Sequence, residues 1–456
     1  MHRVPGFLGS ALTATGGLLL AFNGCGGSAN PISHIVVVFQ ENRTPDNLFQ
    51  DPVLISRGAD IVRSGQDSRG QTIPLSPVPL ANDYDLSHTH QAFVDMYDGG
   101  RMDGADLIPV ECNLGVTNCA PPNAQFSYVN PSEVQPYFSL AEQYTFADRM
   151  FQTNQGPSFP AHQFILSGTS APSAGSPLFA AENPVQTTDT GCTAPKGQTI
   201  PLIDPSGNET AGAYPCYEHP TLTDLLDGKL VGWRYYSPMA GSIWTAPNAI
   251  DHLCQAQTVA GTLKCTSGSW TNHVVLNQVE ILRDIASLHL ANVSWVIPSG
   301  LASDHARIND GSGPSWVAQV VNAIGSSPYW PDTAIFITWD DWGGWYDHVP
   351  PPQVLANCSQ WGCGYVYGFR VPLIVVSPYA KRGYISHVQH DFGSILKFIE
   401  ETFRLGSLGY ADAPADDLSD CFNYNQAPTI FHPIDAPVDG AHFLNDQRPP
   451  TPPDSD

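Results

Sequence analysis

Basic residues are scarce. Of 456 residues, 19 are Lys or Arg against 43 Asp or Glu, which leaves a formal net charge of −24. A nucleic-acid partner needs clustered cations to neutralise phosphates, so this composition argues against one. Charged residues of both signs make up only 14 % of the chain. Long apolar runs are also missing: the mostly apolar stretch 7–22 is too short and glycine-broken to read as a membrane span. No CxxC pair accompanies a second pair at zinc-ligand spacing, which argues against a structural zinc module. A GxSxG elbow is absent too, which disfavours an α/β-hydrolase triad. No internal repeat is found.

What is present begins with a targeting signal. Arg3 followed by the apolar stretch 7–22 reads as an export segment. Gly24-Cys25 then resembles a lipoprotein cleavage site, with membrane attachment through lipid on Cys25, although Phe22-Asn23 departs from the usual small and aliphatic pattern. Residues 1–25 are taken as the signal peptide. Several of the nine later cysteines fall in close pairs, which suits local disulfides in an oxidising compartment. The expected bridges are Cys112–Cys119, Cys192–Cys216, Cys254–Cys265 and Cys358–Cys363, with Cys421 left over.

The most informative stretch is TAIFITWDDWGGWYDH (333–348). An apolar β-run ends on Asp340-Asp341, and Gly343-Gly344 then permit a sharp turn and a close approach. Two adjacent carboxylates repel unless a cation, a shared proton or a basic partner compensates them. In a regular strand one of them would be buried and the other solvated, but this pair sits at the strand exit, where alternation ends. ISHIVVVF (32–39) is a second buried run of the parallel-sheet type, and Gln40-Glu41-Asn42-Arg43 follows it. Glu41-Asn42 there can bind a divalent ion and a substrate oxygen, or merely start a helix.

Further strands are expected at 231–236, 293–297 and 372–376, and helices at 87–96, 221–226, 278–288, 316–324 and 393–403. Residues 158–170 read as a loop followed by a short apolar helical run. The alternation implies an α/β protein with a mostly parallel sheet covered on both faces. The catalytic domain is placed at 31–409. A Pro- and Asp-rich extension, 410–456, wraps the surface, with 447–456 read as disordered.

Candidate reactive groups are dispersed. Ser167 precedes Gly168, a pairing that serves an unhindered nucleophile or an ordinary turn. His88 and His90 lie in Asp85-Leu86-Ser87-His88-Thr89-His90, His252 follows Asp251, and His305 follows Asp304. Each alone reads as a hydrogen-bonded structural histidine. Together with carboxylates at strand ends they suggest metal-assisted chemistry on an oxyanion.

These motifs together resemble a bacterial phosphoesterase family that contains phospholipases C and a metal-dependent acid phosphatase, within the alkaline-phosphatase-like superfamily. The resemblance is carried by VVVFQENRTPDNLF (36–49), HTHQAFVDMYDGGRMDG (88–104), GPSFPAHQFILSGTS (156–170), SDHA (303–306), WDDWGGWYDHVPPP (339–352) and GFRVPLIVVSPYAKRGYISH (368–387). It implies a three-layer α/β/α sandwich with a mostly parallel central sheet. It also implies a divalent metal ion held by Glu41, Asn42, Asp340 and Asp341, with Ser167 as nucleophile and further metal neighbour. His88, His252 and His305 match phosphate-contacting or proton-transferring positions, with His90 competing for the place of His88. Family members often have Asn-Arg after GPS/T-x-P, where this chain has Ala161-His162-Gln163, so no substrate contact from that Arg is implied.

The implied function is an exported, metal-dependent phosphoesterase acting through a phosphoserine. Larger phospholipases C of the family carry extra C-terminal domains, and the short stretch after 409 tilts the expectation toward an acid-phosphatase-type phosphomonoesterase. Phospholipase C is the alternative: Trp342, Trp345, Tyr346, Trp361 and Tyr365 could stack on a choline head group or belong to the core. A reading of another class is a surface lipoprotein that only binds phosphorylated ligands. A sulfatase would need a C/S-x-P-x-R setting early in the chain, and none is found. The expected partner is a small phosphate ester or a phospholipid, and no obligate protein partner is implied.

Overall fold

A computed structural model describes residues 30–113, 115–186, 188–357, 360–451 and 453. The export segment, Cys25 and Cys358 lie outside the described residues, and with Cys358 so does the expected Cys358–Cys363 bridge. The other three expected disulfides are present, and Cys421 is an unpaired buried thiol.

The two apolar runs form the centre of a nine-stranded sheet. Its strands are β1 (His34–Gln40), β2 (Thr145–Phe151), β3 (Trp233–Ser237), β4 (Val274–Leu276), β5 (Val293–Val296), β6 (Thr333–Trp339), β7 (Arg370–Val376), β8 (Tyr384–Ser386) and β9 (His390–Asp391). They pair in the order β4-β3-β5-β1-β6-β7-β2-β8, with β9 also on β2. All contacts are parallel except those of β7, which runs antiparallel to β6 and β2.

Helices cover both faces, which is why β1 and β6 are apolar at nearly every position rather than alternating. The helices are α1 (Gln135–Gln143), α2 (Ser158–Ser167), α3 (Gly313–Gly325) and α4 (Phe392–Phe403). Phe39 meets the ring of His162 on α2 at 4.8 Å and Phe392 on α4 at 5.2 Å, and Phe336 meets Phe398 of α4 at 5.0 Å. Trp339, three residues on from Phe336 and so on the other face, meets Tyr137 of α1 at 5.1 Å. Helix α3 packs on α1 over that second face. The result is the expected three-layer α/β/α sandwich.

Register decides where the chemistry goes. In β1 and β6, Gln40 stands opposite Trp339 in parallel pairing. Glu41-Asn42 and Asp340-Asp341 therefore leave the sheet side by side at the carboxyl edge. β5 pairs with β1 on its other side, and its chain reaches Asp304-His305 beyond the same edge. Open α/β sheets bind ligands in the crevice outside these strand ends.

A second apolar cluster, with Leu86, Phe93 and Phe126 packed against Trp342, Trp345 and Phe369, carries His88 to this edge. The tail lies along the sandwich: Asn322 donates to Ile434 O, Gln319 to Val438 O, and Arg448 pairs with Asp310. Among the described residues, no helix is long and apolar enough to cross a membrane.

Candidate active site

Glu41, Asn42, His88, Asp340 and Asp341 are all fully buried, and all meet. Asp340 Oδ1 accepts the backbone N–H of Asn42 at 2.9 Å. Asn42 itself is left-handed, φ +62°, a conformation that asparagine tolerates better than most residues. Gly343, φ +61°, lies so close that a Cβ there would sit 2.6 Å from Asn42 Cβ and O. At Gly344 a Cβ would sit 2.4 Å from Leu86 Cβ. The two glycines thus let the turn after Asp341 press against Asn42 and against the backbone that precedes His88. Gly343→Ala is expected to cost about 2–4 kcal/mol, through left-handed strain plus a backbone clash. Chemical denaturation checks this, and a wild-type midpoint would contradict the close approach.

The histidines are oriented by carbonyls. His88 Nδ1 donates to Leu86 O at 3.0 Å, and His305 Nδ1 donates to Ala306 O at 2.9 Å, since a carbonyl can only accept. In the neutral ring this leaves Nε2 of His88 as a lone pair, and Asn42 Nδ2 donates to it at 3.2 Å. The Asn42 amide is thereby turned so that Oδ1 is presented elsewhere, buried and without a hydrogen-bond partner. His88 Nε2 is also 4.0 Å from Asp341 Oδ2, and the rings of His88 and His305 are 5.9 Å apart. Asp304 anchors His305 rather than joining it: its Oδ2 accepts from Tyr137 Oη at 2.7 Å and Trp339 Nε1 at 2.8 Å, while Arg43 grips its carbonyl at 2.6 Å. Burial pushes the Asp304 carboxyl up to about 6, against the pull of Arg43 and those two donors.

Two residues that sequence reasoning passed over complete the cluster. Ser158, the first residue of α2, donates through Oγ to Asp341 Oδ2 at 3.3 Å. One turn along, His162 Nε2 lies 3.2 Å from Glu41 Oε1 and 3.9 Å from Asp340 Oδ2. Burial holds His162 down at about 4, so the ring is neutral near pH 7, despite the opposing pull of Asp340. The signal available in the sequence was Gly156-Pro157-Ser158-Phe159-Pro160: proline is tolerated in a first helical turn, so Ser158 opens a helix rather than lying in a loop.

Ser167 is not part of this arrangement. It is the last residue of α2, and Gly168 behind it is a left-handed C-cap whose N–H bonds Phe164 O at 2.8 Å. Nine residues of helix put roughly 13 Å between Ser158 and Ser167. Gly168 packs instead on Leu396, Tyr410 and Ala411. His252 does not join either: its Nδ1 faces Glu218 at 2.9 Å and its Nε2 faces Asp224 at 3.2 Å. His90 turns away from the carboxylates, with Nδ1 on Gln155 O at 2.8 Å. Trp342 and Trp345 are core: Trp342 packs on Phe369, and Trp345 underlies the Arg43 guanidinium. Asp347, six residues beyond Asp341, is held by Arg370 at 2.9 Å and serves the scaffold.

The electrostatics call for a cation. Burial, then Asp340 and Asp341, push the Glu41 carboxyl well above its usual range. Burial would raise Asp340 as well, but the hydrogen bond shared with Glu41, then His162, Ser158 and the Asn42 N–H, hold it below the usual range. Glu41 Oε2, Asn42 Oδ1 and Asp340 Oδ2 are buried and lack hydrogen-bond partners, which is the donor set a hard or borderline cation takes.

Residues 32–406 match the Phosphoesterase family. The chain belongs to that family. Among relatives of this Phosphoesterase-family chain is a hemolytic phospholipase C of Pseudomonas aeruginosa, 23% identical over 88% of this chain and 57% of the relative. The chain thus spans little more than half of that enzyme's length. A non-specific phospholipase C6 of Arabidopsis thaliana is 31% identical over 90% of this chain and 75% of the relative. A solved protein of the alkaline phosphatase superfamily from Vibrio parahaemolyticus aligns over 84% of this chain and 70% of its own, with a TM-score of 0.35 and 10% identity.

Proposed function

We propose that this chain is a phosphoric ester hydrolase that transfers the phosphoryl group to Ser158 and then to water. The observation that carries this reading is the Ser158 hydroxyl at the first turn of α2, hydrogen-bonded to Asp341 beside Glu41, Asn42 and Asp340. The positive end of the helix dipole favours an anion there.

A divalent ion fits the carboxylate and amide oxygens of Glu41, Asn42, Asp340 and Asp341; when bound it supplies charge stabilisation and lowers the pKa of a neighbouring hydroxyl. Asp341 Oδ2 orients the Ser158 hydroxyl and lies where its proton can go. The Oγ–P bond forms as the ester oxygen departs in line. His305, entering as the imidazolium with Nδ1–H on Ala306 O, gives its Nε2 proton to the leaving alcohol, while His88, whose Nε2 accepts from Asn42, orients that amide. His305 then draws a proton from the attacking water as the Oγ–P bond breaks, Asp341 returns its proton to Ser158 Oγ, and the phosphate, or the phosphomonoester when the substrate is a diester, leaves.

Within this class we favour a phospholipid-type diester. Both enzymes named above are phospholipases C. A cavity of about 310 Å³ lined by His90, Phe93, Tyr97, Gln155, Trp361 and Tyr367 adds a rationale, since its aromatic faces suit a choline group or a bulky alcohol. Gln155 and His90 of that lining lie three residues from Ser158 and two from His88. The phosphomonoester reading rests on the paired Asp340-Asp341, which resembles the acid-phosphatase branch of the family where other members have Asp-Glu.

Hydrolysis of p-nitrophenylphosphorylcholine and p-nitrophenyl phosphate, assayed from pH 4 to 8, tests the choice. Faster turnover of the choline diester is expected, and activity on the monoester alone would reverse it. Dialysis against a chelator is expected to lower turnover on the order of a hundredfold or more, with recovery on adding back a divalent ion. Activity indifferent to thorough chelation would contradict the metal-dependent reading. We further infer export by the N-terminal segment, which accords with the three disulfides of an oxidising compartment; lipid on Cys25 is a separate part of this proposal and rests on Gly24-Cys25 alone.

A further inference from the structure

We propose that His162 is a direct nitrogen ligand of the ion held at this site, through Nε2. This inference rests on the metal-dependent reading above and concerns a residue to which that reading gives no role.

The backbone supplies the first argument. Ser158 and His162 stand four residues apart on α2 and so share one face, stacked along the helix axis. The face that offers the Ser158 hydroxyl to Asp341 therefore offers the His162 imidazole to Glu41 and Asp340. One ligand atom each from Glu41, His162 and Asp340 lies within 4.8 Å of the other two, and all three residues are buried.

The spacing is that of neighbouring ligands. Donors about 2.1 Å from one ion stand about 3.0 Å apart at octahedral angles and about 3.4 Å apart at tetrahedral angles. Nε2 lies 3.2 Å from Glu41 Oε1 and 3.9 Å from Asp340 Oδ2, so sub-ångström shifts bring all three onto one ion. Asp340 Oδ2 and Glu41 Oε2 are buried without hydrogen-bond partners, which is a second and independent sign that something is to be bound there.

Packing restricts the ring to this task. Phe39 meets it edge-on at 4.8 Å, and Trp244 stacks over it at 6.4 Å. Trp244 also touches His305 at 5.9 Å, so one indole braces two histidines of the site. Between these apolar faces the polar groups recorded at Nε2 are the two carboxylates. A nitrogen donor among oxygens moves selectivity away from Mg²⁺ and Ca²⁺ and toward first-row ions such as Zn²⁺, Co²⁺, Fe²⁺ and Mn²⁺.

The test is X-ray absorption at the zinc edge on full-length protein carrying one equivalent of Zn²⁺, with Zn²⁺ and Mg²⁺ affinities measured by competition. Wild type is expected to show the outer-shell scattering of a coordinated imidazole. His162→Gln is expected to lose that signature and to bind Zn²⁺ about tenfold to a hundredfold more weakly. Its Mg²⁺ affinity should change far less. His88→Gln and His305→Gln are expected to keep the imidazole signature, which preserves the test should the first variant fold poorly. Bound zinc without imidazole scattering in wild type would overturn the proposal, as would scattering that survives in His162→Gln or disappears with His88 or His305. The metal-dependent reading would stand in those cases, with His162 only orienting Glu41 by a hydrogen bond. Failure of wild type to bind zinc while it binds Mg²⁺ would remove the nitrogen-ligand proposal alone, and failure to bind either ion would remove both.

Discussion

Ser158→Ala is expected to lower turnover by about 10⁴-fold or more, with a much smaller change in KM, while Ser167→Ala stays within severalfold of wild type. The reason is positional. Both hydroxyls are buried on the same helix, but Ser158 is at its first turn, against Asp341, and Ser167 at its last. An incoming phosphate meets the positive end of the helix at Ser158 and would meet the negative end at Ser167. The Ser158 hydroxyl contributes one hydrogen bond to stability, about 1 kcal/mol, so the variant should remain folded and its thermal midpoint should confirm that. Should Ser158→Ala turn over normally and Ser167→Ala fail, the nucleophile would be the residue named by the resemblance and the geometry would have been misread.

Asp340→Asn carries the second large effect. The change is isosteric and keeps an oxygen to accept the Asn42 N–H, but it removes one of the charges that would hold a cation. Metal content after dialysis should fall from one equivalent to a small fraction. Turnover should fall on the order of a hundredfold, the consequence of losing a few kcal/mol of charge stabilisation. The metal-free proteins should differ in the opposite sense. Glu41 is raised in the folded state by burial and by Asp340, so it holds a proton that an unfolded chain would release. Such a group weakens the fold as pH rises from the ordinary glutamate range toward the raised folded value. In chelator, wild type should therefore lose thermal stability as pH is raised above about 5, where an unfolded glutamate ionises, and Asp340→Asn should lose less. Equal pH dependence in the two proteins would show that Glu41 and Asp340 are not coupled.

The carboxylate half of the site was legible because it follows from strand patterning. Two fully apolar runs, each ending on a polar pair, have few placements other than adjacent central strands. Once Gln40 pairs with Trp339, Glu41-Asn42 and Asp340-Asp341 must meet. Close cysteine spacing likewise pointed to Cys112–Cys119 and Cys254–Cys265, and Cys192–Cys216, 24 residues apart, was also expected and is present. The helical half was not legible. Pro157 and Pro160 make 156–160 look like a loop, although Pro160 sits in a first turn where no backbone donor is missed. Ser167-Gly168 looks like an exposed turn, although it is a buried helix end with its C-cap. β2 was missed because Asp148 and Arg149 interrupt its apolar pattern. Asp148 accepts the Asp60 N–H at 2.8 Å and Arg149 pairs with the Asp60 side chain, contacts that only the folded chain reveals. His252 follows an aspartate much as His305 does, but it lies near the end of a short helix, where Glu218 and Asp224 claim it.

The most direct test of the account is to find where the phosphoryl group goes. Wild-type enzyme turning over p-nitrophenylphosphorylcholine would be quenched in acid, digested and mapped by mass spectrometry, with Ser158→Ala in parallel. The account predicts a peptide carrying the phosphorylcholine group on Ser158, absent from the variant. Phosphorylcholine on Ser167, or the same adduct surviving in Ser158→Ala, would contradict it.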